Sequence, residues 1–299
     1  MNELANLNTT NFAELAVLAG MGTPSAETKT SSLMRLALQH KPISAKQDIK
    51  GKKVNVEVVE AGSFRIEEPV ADGKKLYSSN VTIRPFMQRV FYKRFIMGDG
   101  DKPNRFRKTV MANDLKSELK DTDGGFNCGK PSQYFEDWNQ VPDNVKSVIR
   151  ATKRTRAIFG TLTVKDAIDA EGNPVDTPDP IAAIWEVNNN EAYASVNVPF
   201  NKLYKMQQLP MSYGIVLSTE EKPLPNGDSF YLPRVALDLN NKIDLLDSDQ
   251  DTFTNFLDWI KDHNSYVLSK WDENNVEDVD DITKDLVDEF IDVASEEAA

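Results

Sequence analysis

The sequence predicts a mixed α+β protein whose strands form a small antiparallel sheet or barrel. Residues 51–111 carry runs in which apolar and polar side chains alternate, which is typical of half-buried strands. Residues 249–262 place Phe253, Phe256, Leu257 and Ile260 at i, i+3, i+4 and i+7, which predicts an amphipathic helix. After Trp271 the composition turns acidic, which predicts a separate C-terminal tail.

The first fifty residues are predicted to form a helical N-terminal arm. Phe12, Leu15 and Leu18 recur at helical spacing, and the polar stretch TPSAETKTSS follows them as a linker. Leu33, Leu36 and Leu38 then predict a second short helix. Such an arm either contacts a partner or docks on the body of its own chain.

Residues 51–271 are predicted to form the core, in which a helical insertion separates two groups of strands. The first group contains VNVEVVEAG, FRIEEP and KLYSSNVTIRPFMQRVFYKRFIM. QYFEDWN and PDNVKSVIRATKRTRAIF follow as the insertion, in which Pro142 and Asp143 open the main helix. GTLTVKDAI and IAAIWEV resume the strands, residues 190–208 read as helical, and SYGIVLSTEE and FYLPRVALDL form a hairpin around PLPNGD.

Composition excludes several functional classes. The chain has one cysteine and two histidines, too few for a disulfide framework or a Cys/His zinc cluster, and we expect no cofactor and no metal. No run of eighteen apolar residues exists, and no basic region precedes the short apolar run near the N-terminus. The sequence therefore predicts neither a membrane span nor a secretory signal, and we expect a cytoplasmic protein.

The stretch GGFNCGKPS, residues 124–132, has the glycine and lysine spacing of a phosphate-binding loop. A working loop needs a Ser or Thr hydroxyl directly after the lysine to hold Mg²⁺, and Pro131 stands there instead. The preceding residues 113–123 are polar and charged, so they cannot form the buried strand that such a loop follows. We predict a tight turn in which Lys130 contacts a phosphate and Cys128 is buried as a small apolar side chain.

Basic and aromatic residues are interleaved in the segment RPFMQRVFYKRFIMGDGDKPNRFRK. It contains eight basic residues and two acids, and residues 146–156 add five bases and no acid. Single-stranded nucleic acid needs aromatic faces for its bases and cations for its phosphates. Because alternate strand residues share a face, we expect Phe91, Lys93 and Phe95 on one side and Tyr92 and Arg94 on the other, with one side in the core. The predicted contact residues are Arg84, Phe86, Arg89, Phe91, Tyr92, Lys93, Arg94, Phe95, Arg105, Phe106, Arg107, Lys108, Lys130, Lys153, Arg154 and Arg156.

The acidic tail accounts for most of the net charge. Residues 272–299 contain twelve acids and one lysine, a net −11 of the total −12, which leaves residues 1–271 with −1. Apolar residues recur at helical spacing in DITKDLVDEFIDV. Such a segment suits either the protein's own cationic groove or the basic grooves of partners. The predicted partner-binding residues are Asp280, Asp281, Asp285, Leu286, Asp288, Glu289, Phe290 and Asp292.

This arrangement resembles the single-stranded DNA-binding proteins of tailed bacteriophages. The resemblance covers residues 50–299, and FNCGKPSQYFEDWNQVPDNVKSVIRATKRTRAIFGTLTV with its continuation to VALDL is similar to marine and cyanophage-type members. It implies an OB-like antiparallel β-barrel with a helical insertion, followed by a disordered acidic tail over residues 272–299. It further implies a non-enzymatic protein that coats and protects single-stranded DNA during phage replication, recombination and repair in an infected bacterium. The tail would recruit replication proteins such as polymerase and helicase or primase.

Three other interpretations stay open. Glu118 and Lys120 have the Glu-x-Lys spacing of a metal-dependent nuclease, with Asp114 nearby, but this segment reads as a polar helix or loop rather than as sheet strands. The basic surface and acidic tail could instead pair between subunits of a phage structural or assembly protein. RNA could replace DNA as the ligand, and self-association is compatible with each interpretation.

Overall fold

The computed structural model of this chain describes residues 33–49, 52–70, 73–98, 100, 103–132 and 135–296. For residue 49 and residues 276–296 it describes the backbone without the side chain. The predicted helix over Phe12, Leu15 and Leu18 lies outside the described residues.

The described residues form eleven strands and four α-helices. The strands are β1 (Met34–Leu38), β2 (Ile43–Ile49), β3 (Lys52–Val59), β4 (Phe64–Glu67), β5 (Lys75–Ser78), β6 (Asn80–Ile96), β7 (Arg105–Lys108), β8 (Thr152–Lys165), β9 (Ile181–Val187), β10 (Tyr213–Pro223) and β11 (Ser229–Lys242). The helices are α1 (Asp143–Ala151), α2 (Asn190–Ser195), α3 (Asn197–Lys205) and α4 (Asp247–Glu296). The predicted α+β class is confirmed.

Nine of these strands form one mostly antiparallel sheet. Its order is β11-β10-β6-β8-β9-β1-β4-β5, with β7 paired to the far end of β6, and β1 and β9 form its parallel pair. The longest pairing joins β6 to β8, from Asn80 opposite Lys165 to Arg94 opposite Thr152. β2 and β3 form a separate two-stranded ribbon.

The sheet follows an open path through the described residues rather than a closed barrel, so the OB-like barrel is not confirmed. Its two ends, β11 and β5, are not neighbours in the strand order. The sheet is strongly curved, because the bridge between Tyr77 and Ile168 and the hydrogen bond from Ser78 Oγ to the Lys165 carbonyl (2.6 Å) bring the end of β5 to the end of β8.

Each face of the sheet is covered by a different layer. One core contains Phe64, Ile83, Ile158 and Trp185 and packs against α2 and α3 through Ala192 and Phe200. The other contains Phe86, Phe91 and Phe159 and packs against Phe256 and Ile260 of α4. The predicted amphipathic helix is therefore confirmed, and it buries one side of the basic, aromatic β6.

Two predicted helical segments are strands. Residues 34–38 form β1 between β9 and β4, so this part of the supposed arm belongs to the sheet. Helix α1 ends at Ala151, and Lys153, Arg154 and Arg156 lie on β8 rather than on a helix. Both corrections have the same cause: long-range pairing with neighbouring strands outweighs the local helical periodicity.

The acidic segment, which was predicted to be disordered, is helical as far as Glu296. α4 crosses the predicted boundary at residue 272 without a break. Its last described side chains bind the body, because the Asn274 and Asn275 amides donate to the carbonyls of Thr122 (2.8 Å) and Gly124 (3.1 Å). Within the described part of the chain, no helix has the length and apolar character that a membrane crossing requires.

Candidate nucleic-acid interface

The turn predicted for residues 124–132 is confirmed, and a buried carboxylate organises it. Asp121, fully buried, accepts hydrogen bonds from the backbone N–H groups of Asp123, Gly125 and Cys128. These bonds hold Asn127 and Cys128 at positive φ (52° and 57°), a region that residues other than glycine seldom adopt. Cys128 is buried as predicted, and burial raises the pKa of its thiol to about 12.

Four predicted contact cations are paired with carboxylates of the same chain. Arg84 forms a bidentate pair with Asp249 (2.7 and 2.8 Å), and Lys93 pairs with Glu186 at 2.8 Å. Arg107 binds Asp121 at 2.8 Å, and Arg105 forms a bidentate pair with Asp123. We call these residues, Arg84, Lys93, Arg105 and Arg107, the paired cations. Their pairing leaves little charge for an external phosphate.

Three other predicted cations have structural contacts. Arg156 is buried and donates to Gln88 Oε1 (2.6 Å), Asn197 Oδ1 (3.0 Å) and the Tyr193 carbonyl (3.3 Å), so it ties β8 to α2 and α3. Arg94 donates to the Cys128 carbonyl at 2.9 Å, and Arg89 to the Gln88 carbonyl at 2.8 Å. Burial lowers the pKa of both Arg89 and Arg156.

The prediction that only one face of the aromatic strand enters the core is wrong. Phe86 and Phe91 are buried under α4, while Tyr92 is buried on the opposite face with Leu119 and Cys128. Both faces are covered because the loop that follows β7 folds over the side that α4 leaves free. These three rings therefore lack the exposed face that stacking on a base requires.

An exposed aromatic pair remains at the end of β6. Phe95 and Phe106, 47% and 51% exposed, lie opposite each other on β6 and β7 with ring centroids 5.2 Å apart. Lys93 lies 4.6 Å from the Phe106 ring centroid. Lys108 shares this face, and its pKa is lowered, first by burial and then by the charge of Lys93.

Four cations line one cavity at the same end of the sheet. Lys130, Arg150, Lys153 and Arg154 surround a volume of about 400 Å³ whose lining contains no acidic residue. Among the residues that the structure describes, none of the four forms an ion pair. We call this group the cation cradle. Helix α1 ends at Ala151 and β8 begins at Thr152. The cations at this junction, Arg150, Lys153 and Arg154, therefore lie next to Lys130.

A second cavity, of about 410 Å³, adjoins the cradle. Lys130 and Ile149 line both cavities, and Tyr92, Trp138 and Glu118 line the second alone. Trp138 is 39% exposed, and the Arg150 guanidinium lies 5.7 Å from its ring centroid. We call this volume the aromatic cavity. The four cations and the exposed ring of Trp138 thus lie on one concave surface.

The electrostatics of the cradle favour an anion. The pKa of Lys130 is lowered, first by burial and then by the nearby charge of Arg154. A bound phosphate would favour the charged form of Lys130 and offset the repulsion from Arg154, since it supplies the opposite charge that the cavity lining lacks. Arg154 also lies 5.2 Å from the ring centroid of Tyr193 on α2, which helps to fix its position.

The structure brings together Lys130, Lys153 and Arg154 of the predicted set and adds residues that the sequence prediction omitted. Arg150 belongs to the basic run 146–156, and Trp138 lies in QYFEDWN, so a search for cations near an aromatic ring could have found both. The side chains of the predicted partner-binding set, Asp280 to Asp292, lie outside the described residues.

Comparisons of the chain with protein-family models, with curated proteins and with solved structures gave no match.

Proposed function

We propose that this protein binds single-stranded DNA with the cation cradle on the phosphates and with neighbouring aromatic rings on the bases. The strand would cross the end of the sheet where β6 ends and where β7 and β8 begin. Trp138 lies beside the cradle, and the Phe95 and Phe106 pair lies on the face that also carries Lys153. Phosphate contacts supply affinity without sequence preference, and stacking accepts any base.

The observation that carries the proposal is the lack of acidic partners in the cradle. A protein of net charge −12 keeps four cations around one cavity while it pairs the neighbouring ones. Unpaired cations that repel one another cost stability, so their retention favours an external anionic ligand. Exposed aromatic rings beside them favour single strands, because the bases of a duplex are stacked on each other.

The proposal is tested by anisotropy titration of the full chain with a labelled oligo-dT strand, with its duplex and with the matching RNA strand. We expect tighter binding of the DNA single strand than of the duplex and a steep loss of affinity with salt. Tryptophan fluorescence should be quenched on binding. Equal affinity for both forms, or no binding at low salt, would remove the proposal and favour the assembly-protein interpretation. Tighter binding of the RNA strand than of the DNA strand would identify RNA as the ligand instead.

The acidic end of α4 is proposed to act as a recruiting segment. Its acids and its helically spaced apolar residues suit basic grooves on replication proteins, as the phage resemblance implies, and the work would be done in the cytoplasm of an infected bacterium. Because Asn274 and Asn275 bind the loop of residues 122–124, we place the start of the recruiting segment after Asn275.

A chain that ends at Asn275 tests this role without disturbing the docked part of α4. If the acidic segment competes for the cradle, the shortened chain should bind oligo-dT several-fold more tightly at low salt than the full chain. A full chain in which the acids beyond Asn275 become amides provides the control, because it keeps the length and removes the charge. Unchanged affinity in both would contradict the competition.

A further inference from the structure

The aromatic cavity contains a feature that phosphate binding does not explain. Glu118, a carboxylate, lines it beside Tyr92 and Trp138, next to the four cations of the cradle. A negative charge at this place repels a phosphate backbone. Among the described residues Glu118 forms no ion pair, so it does not serve to neutralise Lys130.

A chain of hydrogen bonds fixes the orientation of this carboxylate. The buried Asn127 accepts from the backbone N–H of Leu119 (3.0 Å) and donates through Nδ2 to Ser132 Oγ (3.1 Å). Ser132 then donates to Glu118 Oε1 at 2.6 Å. The backbone N–H of Leu119 fixes which atom of the Asn127 amide is the acceptor. The donor and the acceptor of each following hydrogen bond, through Ser132 to Glu118, are therefore fixed as well. Glu118 Oε2 accepts no hydrogen bond from the described residues.

We infer that the aromatic cavity receives one nucleobase and that Glu118 selects bases with an exocyclic amino group. This inference rests on the proposed binding of single-stranded DNA. A carboxylate accepts from the amino group of cytosine, adenine or guanine, and a Glu or Asp that accepts from cytosine N4 is an established form of base recognition. Thymine and uracil place carbonyl oxygens on both sides of their single N–H, and these oxygens repel a carboxylate.

The cavity has the other features that a base needs. Its volume of about 410 Å³ exceeds that of a nucleobase, and Trp138 supplies a half-exposed ring for stacking. Lys130, shared with the cradle, would bind the phosphate of the same nucleotide. Asn127 and Cys128 adopt positive φ values in the turn that precedes Ser132. This turn brings Asn127 Nδ2 within hydrogen-bond distance of Ser132 Oγ.

The test compares oligo-dC with oligo-deoxyuridine on the full chain at mildly alkaline pH, where cytosine does not pair with itself. The two strands have the same ring size and lack the thymine methyl group, so they differ at the Watson–Crick edge. We expect about tenfold tighter binding of oligo-dC. Glu118→Ala should bring the two affinities within twofold, by weakening oligo-dC binding. Ser132→Ala should reduce the preference without removing it, because it frees the carboxylate to rotate.

Asp143→Ala is the matched control, since Asp143 is fully exposed on the neighbouring α1 and its loss changes the net charge equally. It should keep the preference for oligo-dC. Equal binding of the two strands by the unmodified protein would overturn base selection and leave single-strand binding intact. A preference that survives Glu118→Ala would also overturn it. If neither strand binds, the proposed function and this inference fail together.

Discussion

The paired cations and the cation cradle differ in what faces them, although Lys93, Arg105 and Arg107 lie at the same end of the sheet as the cradle and only Arg84 lies farther back along β6. The paired cations of β6 and β7 each meet a carboxylate, and the cation cradle of α1, β8 and the 124–132 turn meets none among the described residues. The segment with the larger number of bases and aromatic rings, residues 84–108, is thus the one whose cations are largely neutralised. Charge that is free to bind a ligand depends on tertiary pairing rather than on the local count of bases.

The largest expected effect comes from removing two cations of the cradle. Lys153→Gln with Arg154→Gln should weaken oligo-dT binding about 50-fold at low salt, because each lost phosphate contact no longer releases its counterion. Anisotropy titration measures the change. Lys202→Gln with Lys205→Gln is the control, since it removes the same charge from the exposed side of α3. An equal loss in the control would mean that net charge, not the cradle, determines affinity.

The next effect concerns a paired cation and appears in stability instead of binding. Asp249→Asn leaves Arg84 largely buried without its partner and should lower the free energy of unfolding by about 2 kcal/mol. Urea denaturation measures it. Binding per folded molecule should stay unchanged, and a large loss of affinity would show that this pair belongs to the interface.

The pair of Arg84 and Asp249 also makes the free energy of unfolding depend on pH. The hydrogen bonds from Arg84 hold the pKa of Asp249 below its usual value. A carboxyl with a depressed folded pKa stabilises the protein above its unfolded pKa, near 3.9, and loses that contribution as pH falls through the folded pKa. The difference in stability between the native chain and Asp249→Asn should therefore shrink in acid below about pH 4. A constant difference would contradict the assigned cause.

A smaller effect is expected from the aromatic side of the concave surface. Trp138→Ala should weaken oligo-dC binding about fivefold, near the lower limit for stacking of one base because the ring is only partly exposed. Trp138→Phe should retain most of the affinity, since a ring remains. If both substitutions have the same effect, Trp138 acts through the packing of Arg150 rather than through a base.

The smallest effect is expected for a paired cation that is itself exposed. Arg105→Gln should change oligo-dT affinity less than twofold, because Asp123 already holds the guanidinium. Although burial raises the pKa of Asp123, the bond from Arg105 and the charge of Arg107 keep it below its usual value, which shows how strongly the pair is coupled. A tenfold loss of affinity would break the distinction between the two groups.

Sequence patterns predicted the elements whose signals are local. The α4 periodicity, the β10 and β11 hairpin, the helical residues 190–208 and the turn with buried Cys128 are all confirmed. The failures concern long-range contacts. β1 is a strand because β4 and β9 flank it, and Lys93 is paired because the side chain of Glu186 on β9, 93 residues away in the sequence, reaches it. Local patterns contain neither fact, so the sequence located the basic end of the sheet and could not separate free from paired cations.

The salt dependence of oligo-dT binding distinguishes the cation cradle from the paired cations. It is measured for three proteins: the native chain, Lys153→Gln with Arg154→Gln, and Lys93→Gln with Arg105→Gln. Each phosphate contact on a single strand contributes about 0.7 to the slope of log affinity against log salt. We expect the cradle variant to lower the slope by about 1.4 and the paired-cation variant to leave it unchanged. Equal reductions in both variants, or a reduction in the paired-cation variant alone, would contradict this expectation.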